Sequence, residues 1–213
     1  MKLFEKSLKV YKEKGIKELF HCIYLKISQT IFYSYSAPWY TKYLGPKDIR
    51  IRIESVIPVT INYLEFNETL NWIKSQNVPW LLNEREKEVA IDEKHYWANL
   101  KYNGSIIGLI KIGFGDVYIP DYRKVIRFSR NVAFIYYTFI LEDFRGRKVG
   151  SYFINETCTF LRRNGFVKVM CHISSGNKAS IKAYLRVGFK MVKEVRGFTM
   201  LGAKIIRGKP NFS

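Results

Sequence analysis

Between Phe139 and Gly150 the chain reads Phe139-Ile140-Leu141-Glu142-Asp143-Phe144-Arg145-Gly146-Arg147-Lys148-Val149-Gly150, an apolar run that passes through a glycine-bearing turn into a helical segment. This order of residue types suits a pyrophosphate. A helix N-terminus presents backbone N–H groups without intrahelical partners and the positive end of the macrodipole, and the turn before it adds further N–H groups. Gly146 and Gly150 lack a Cβ, so the backbone can bend there and phosphates can approach closely. Groups able to move protons stand close by in sequence. His172 carries an imidazole whose ordinary pKa of about 6.5 lets it accept a proton near neutrality. Glu142 is the next candidate base, whereas Asp143 and Glu156 suit a helix start, where negative charge is favoured. His21 and His95 have no partners at metal-ligand spacing, so no metal site is expected. Three cysteines, Cys22, Cys158 and Cys171, are odd in number and far apart, which fits buried thiols in a reducing, cytoplasmic compartment.

A second segment follows one helix and one strand later: Asn177-Lys178-Ala179-Ser180-Ile181-Lys182-Ala183-Tyr184-Leu185-Arg186-Val187-Gly188-Phe189. Taken with Arg145-Gly146-Arg147-Lys148-Val149-Gly150, it resembles the two signature motifs of the GNAT acetyltransferases. The resemblance runs roughly from Trp97 to Ile206 and is strongest between Ile140 and Phe189. It implies an α/β fold with a mixed, mostly antiparallel central sheet flanked by helices, and acetyl-CoA as co-substrate without a metal. It further implies that Arg145, Gly146, Arg147, Lys148, Val149 and Gly150 hold the pyrophosphate. The backbone around Ile140 and Leu141 would pair with the pantetheine arm and polarise the thioester carbonyl, a stabilisation by fixed dipoles. Tyr184 matches the motif tyrosine that protonates the CoA sulfur. Asn177 matches the asparagine that contacts the CoA arm, and an asparagine before Lys178-Ala179-Ser180 is also an ordinary helix N-cap. One position departs from the motif, because Lys148 stands where a glycine is usual. Its backbone N–H is still a donor, and its side chain adds a cation.

The elements that must position these residues are read from periodicity. Ile49, Ile51 and Ile53 alternate with Arg50, Arg52 and Glu54, which predicts a strand. Phe66, Leu70 and Ile73 share one face of a short helix, and Asn103-Gly104 between two strand-like runs signals a hairpin. Val132–Leu141 reads as a buried strand, followed by a helix over 149–164, a strand over 167–173, a helix over 178–187 and a final hairpin around Gly197. From Lys2 to about Tyr35, apolar residues recur at three- and four-residue steps between lysines, which predicts basic amphipathic helices. The expected organisation is a helical appendage over 1–45 and a catalytic domain over 46–213.

A chain of 213 residues with 47% hydrophobic and 25% charged residues is globular in composition, which excludes a disordered chain. Its 36 Lys and Arg against 18 Asp and Glu give a net charge of +18, an attraction to anionic partners. No recognisable nucleic-acid-binding signature accompanies that charge, so nucleic acid is not the expected partner. The reading is an N-acetyltransferase acting on the primary amine of an anionic small molecule such as a nucleotide-linked amino sugar, with a protein or peptide amine, or CoA binding without turnover, as alternatives. The N-terminal helices suggest either peripheral contact with an anionic membrane face, without spanning it, or a helical pair packed against the catalytic domain or against a second subunit in a homodimer.

Overall fold

The computed structural model describes residues 32–45, 52–63, 66–76, 95–119, 124–200 and 203–207. The chain divides into two compact units, one built on Ala37–Glu194 and the other on Met1–Ser36 with Val195–Pro210. In the larger unit the strands run in the order β1-β8-β7-β4-β3-β2. They are β1 (Phe32–Tyr43, which enters this unit at Ala37), β2 (Thr60–Tyr63), β3 (Tyr96–Tyr102), β4 (Ser105–Phe114), β7 (Val132–Ile140) and β8 (Lys168–His172). Only β7 and β8 pair in parallel; the other neighbours are antiparallel. A separate two-stranded ribbon, β5 (Asp116–Ile119) with β6 (Lys124–Arg127), follows β4. The helices are α1 (Phe66–Ser75), α2 (Val149–Arg163) and α3 (Lys178–Arg186). β9 (Lys190–Met200) passes into the smaller unit at Val195 and pairs there over Arg196–Met200 with β10 (Ala203–Arg207).

The β3–β4 hairpin turns where expected, because Asn103 and Gly104 both adopt positive φ, 48° and 78°. Gly108 in β4 is required by a close approach: a Cβ there would lie 2.6 Å from the Phe139 carbonyl oxygen and from Ile140 Cδ1. One face of the sheet is covered by α2 and α3. Phe153, Ile154, Cys158 and Leu161 of α2 pack with Ile110, Ile135, Val169 and Cys171 of the sheet and with Tyr184 of α3. The opposite face carries Trp97 and Leu109 against Ile73 of α1, and Thr69 fixes that helix by donating to Asn99 Oδ1 at 2.6 Å.

Three sequence expectations change. Residues up to Tyr35 were expected to be helical, yet Phe32–Tyr43 is a strand, and Trp39–Tyr43 pairs with β8 inside the sheet. The aromatic and β-branched content of this stretch serves a sheet better than its spacing serves a helix. The helices expected from Lys2 onward, and with them the membrane and dimer contacts, otherwise fall on residues outside those described. The strand expected over 49–54 has no strand among its described residues, 52–54: Ile53 is buried and Arg52 and Glu54 are exposed, but the alternation belongs to an irregular segment. The last hairpin does not turn at Gly197, which pairs with Ile206 within the ladder; the chain reverses between Met200 and Ala203.

The face opposite α2 and α3 holds a buried cation. Lys111, 1% exposed, places its Nζ 4.4 Å from the Tyr136 ring centre and 5.5 Å from that of Trp97. His95 packs against the same tyrosine, and burial, reinforced by the Lys111 charge, lowers its pKa from 6.5 to about 4. Below pH 6.5 the unfolded chain protonates this histidine while the folded chain leaves it neutral down to about 4. Its contribution is therefore full above pH 6.5 and is lost as the pH falls through that window, by about 3 kcal/mol at most. Denaturant unfolding at pH 7 and pH 4.5 should show a smaller loss of stability in His95→Gln than in the native sequence; equal losses would contradict this.

Candidate acyl-donor site

Two irregularities in β7 create the site. In its pairing with β4, Lys111 stands opposite Tyr137 and Ile112 opposite Ile135, so Tyr136 is an extra residue in β7, a β-bulge. The bulge leaves Tyr136 and Tyr137 on one face, and it turns Thr138 and Ile140 toward α2 and α3. In its pairing with β8, the ladder ends at Ile135 opposite Cys171. The end of β7 therefore runs on without a β8 partner. Leu141 N–H donates to Ile107 C=O at 2.8 Å, on the β4 side. By the alternation of an antiparallel ladder, the N–H and C=O groups of Thr138 and Ile140 face the open side. Ile140 C=O accepts there from Arg145 Nε at 3.0 Å, so one donor of this arginine ties the turn to the strand.

After a short 3-10 turn, Glu142–Phe144, the chain reaches Gly146 at φ 79° and Lys148 at φ 60°, ψ 0°. Lys148 takes the left-handed conformation that a glycine adopts easily, at a cost of roughly 1–2 kcal/mol. The backbone makes its left-handed turn there although the residue is not glycine. The first α-helical bond of α2 runs from Tyr152 N–H to Lys148 C=O, and no side chain caps the helix. The N–H groups of Val149, Gly150 and Ser151 precede that bond and point out of the N-terminus. By contrast, α3 has a side-chain cap: Asn177 Oδ1 accepts from Ser180 N–H at 3.1 Å. Arg186 Nη1 donates to Ser151 Oγ at 3.2 Å and so links α3 to the first turn of α2.

These parts enclose a cavity of about 580 Å³. Its wall takes Thr138, Phe139 and Ile140 from β7, Arg145, Gly146 and Lys148 from the turn, Val149, Gly150, Ser151 and Ile154 from α2, and Asn177, Lys182 and Arg186 among others from α3. Cations and unpaired N–H groups at one end and an open strand edge at the other suit an elongated ligand with a polyanionic head and a neutral, amide-bearing arm.

A model of the Acetyltransferase (GNAT) family matches residues 63–189. The chain belongs to the GNAT acetyltransferase family. An uncharacterised N-acetyltransferase of Methanocaldococcus jannaschii is 33% identical over 77 residues, and the match covers 36% of this chain and 34% of that protein, about a third of its length. Among solved structures, a GNAT-family acetyltransferase from Colwellia psychrerythraea has a TM-score of 0.56 at 15% identity, with 78% of this chain and 56% of that chain covered. The glucosamine N-acetyltransferase region of a fungal multi-domain β-N-acetylglucosaminidase has a TM-score of 0.54 at 13% identity, covering 86% of this chain and 23% of that one. At such identities the structural likeness establishes the fold alone.

Acetyl-CoA, the co-substrate that GNAT enzymes use, fits this cavity in chemical kind. Of the residues expected to hold it, Ile140, Arg145, Gly146, Lys148, Val149, Gly150 and Asn177 line the wall. Leu141 and Arg147 do not; the Leu141 N–H is committed to β4 and the Arg147 carbonyl accepts from Val56 N–H at 3.4 Å. Tyr184 is 2% exposed, with its hydroxyl 2.9 Å from Thr138 Oγ1 and its ring edge-on to Phe189 at 4.9 Å. Burial, with a smaller contribution from Cys171, pushes its pKa well above 10, so the phenol keeps its proton. His172 lies across the sheet from Tyr184 and packs in a three-ring cluster with Trp39 at 5.5 Å and Phe134 at 6.1 Å, which also touch each other at 5.6 Å. Glu142 is exposed in the 3-10 turn and outside the wall. Among the described residues, no group of three His, Cys, Asp or Glu side chains is arranged to hold a metal. Sequence reasoning passed over Thr138, Lys182 and Arg186. The last two stand four residues apart on α3, a helical spacing that places them on one face and was a readable signal.

Proposed function

We propose that this GNAT domain transfers an acetyl group from acetyl-CoA to a primary amine carried by an anionic acceptor, such as a nucleotide-linked amino sugar. The observation that carries this reading is the cavity joining the uncapped N-terminus of α2 to the unpaired edge of β7. In this reading the N–H groups of Val149, Gly150 and Ser151, with Lys148 and the remaining guanidinium donors of Arg145, hold the pyrophosphate. The open-side N–H of Ile140 donates to the thioester oxygen and stabilises charge that develops there. The amine nitrogen bonds to the acyl carbon and gives up a proton, the carbon–sulfur bond breaks, and the leaving sulfur takes a proton that originates on Tyr184.

His172 is the proposed base. It stands on the sheet face away from α2 and α3, where the open gap between β7 and β8 gives an acceptor its own approach. The anionic acceptor is supported by the net charge of +18. Attachment to a membrane and a cytoplasmic location remain part of the proposal for the whole chain. Release of free thiol from acetyl-CoA over a panel of primary amines tests it. Phosphorylated amino sugars should be turned over faster than polyamines, and His172→Gln should lower kcat by about a hundredfold. A preference for polyamines would reject the acceptor class, and an unchanged rate in His172→Gln would move the base elsewhere.

A further inference from the structure

We infer that Thr138, rather than Tyr184, presents the hydroxyl that meets the sulfur of the acyl donor, and that Tyr184 supplies its proton through Thr138. The inference rests on the proposed acetyl-CoA site. Thr138 lines the cavity, whereas Tyr184 does not; its buried ring packs edge-on against Phe189 and its hydroxyl lies 2.9 Å from Thr138 Oγ1. The bulge at Tyr136 is what turns Thr138 to this side of the sheet, at the stretch of β7 that has lost its β8 partner.

A hydroxyl can accept one hydrogen bond while it donates another. With Tyr184 as the donor of the pair, Thr138 keeps its own proton for an acceptor in the cavity. As the carbon–sulfur bond breaks, the Thr138 O–H bond breaks and a sulfur–hydrogen bond forms, while the Tyr184 proton passes to Thr138 Oγ1. Thr138 ends unchanged, and the Tyr184 phenolate recovers a proton from water before the next cycle. Burial disfavours that phenolate, a cost set against the charge that would otherwise stay on the departing sulfur.

Calorimetric titration of the full chain with CoA and with desulfo-CoA, which lacks the sulfur, separates the two hydroxyls without relying on turnover. The native protein should bind CoA about fivefold more tightly than desulfo-CoA, the effect of one neutral hydrogen bond. Thr138→Val should abolish this preference, Thr138→Ser should restore it, and Tyr184→Phe, which leaves the threonine hydroxyl in place, should retain it. In turnover, Thr138→Val and Tyr184→Phe should lower kcat to a similar degree, and the double variant should be no slower than either. A preference kept by Thr138→Val but lost by Tyr184→Phe would overturn the inference, as would a native protein without any preference. If Thr138→Val fails to fold, Thr138→Ala with the same comparison gives the same decision. Absence of CoA binding by the native chain would instead reject the acyl-donor site itself.

Discussion

Tyr184→Phe is expected to lower kcat about a hundredfold, at the lower end of what a positioned proton donor contributes, while acetyl-CoA affinity stays nearly unchanged. The separation follows from the placement of the hydroxyl. Tyr184 is outside the cavity wall, so its loss removes no contact with the bound donor, and the ring itself remains packed against Phe189. Phenylalanine keeps that packing and deletes only the hydroxyl that bonds Thr138. The interaction matters when charge builds on the departing sulfur, so the loss belongs to kcat rather than to binding. Thiol-release kinetics alongside calorimetric titration check both halves. An unchanged kcat with chemistry shown to be limiting would remove Tyr184 from the reaction, and a parallel loss of affinity would make it a structural residue of the site.

Gly150→Phe should abolish most acetyl-CoA binding and leave the fold intact. A Cβ at Gly150 would meet only Ile140 Cγ1, at 3.9 Å, an ordinary contact, so the protein itself tolerates a side chain there. The larger ring must then project into the cavity whose wall Gly150 forms, beside the first N–H groups of α2. The expected loss is on the order of a hundredfold in affinity, about 2.7 kcal/mol, with Gly150→Ala close to the native value. Melting temperatures within a few degrees of the native protein, measured beside the titrations, establish that the loss is local. Native affinity in a folded Gly150→Phe variant would contradict the pyrophosphate cradle.

The parts of this site that could be read from residue order are those where a local rule and the function agree. Gly146 and Gly150 mark a strand-to-helix turn, and Asn177 both caps α3 and faces the cavity. Elements governed by distant pairing were less legible. The segment Phe32–Tyr43 has helical spacing upstream of it, and its strand character depends on the β8 backbone, which lies far away in sequence. Arg52–Glu54 continues an alternating pattern without a ladder to join. Thr138 shows why a site residue was passed over. Ile135 faces α2 and α3, and strict alternation would place Tyr137 and Phe139 on that side and Thr138 opposite. The extra residue at Tyr136 shifts the phase by one, and nothing in the local residue types announces it. Lys111 presents the opposite case, a lysine in the middle of an apolar strand that its own chemistry would place in water, held instead between aromatic rings.

A crystal structure of the full chain with CoA bound tests the central claim most directly. The account predicts the pyrophosphate on the N–H groups of Val149, Gly150 and Ser151, the pantetheine arm along the open side of Thr138–Ile140, and the sulfur within hydrogen-bond reach of Thr138 Oγ1. CoA bound away from the N-terminus of α2, or no CoA bound at saturating concentration, would contradict it.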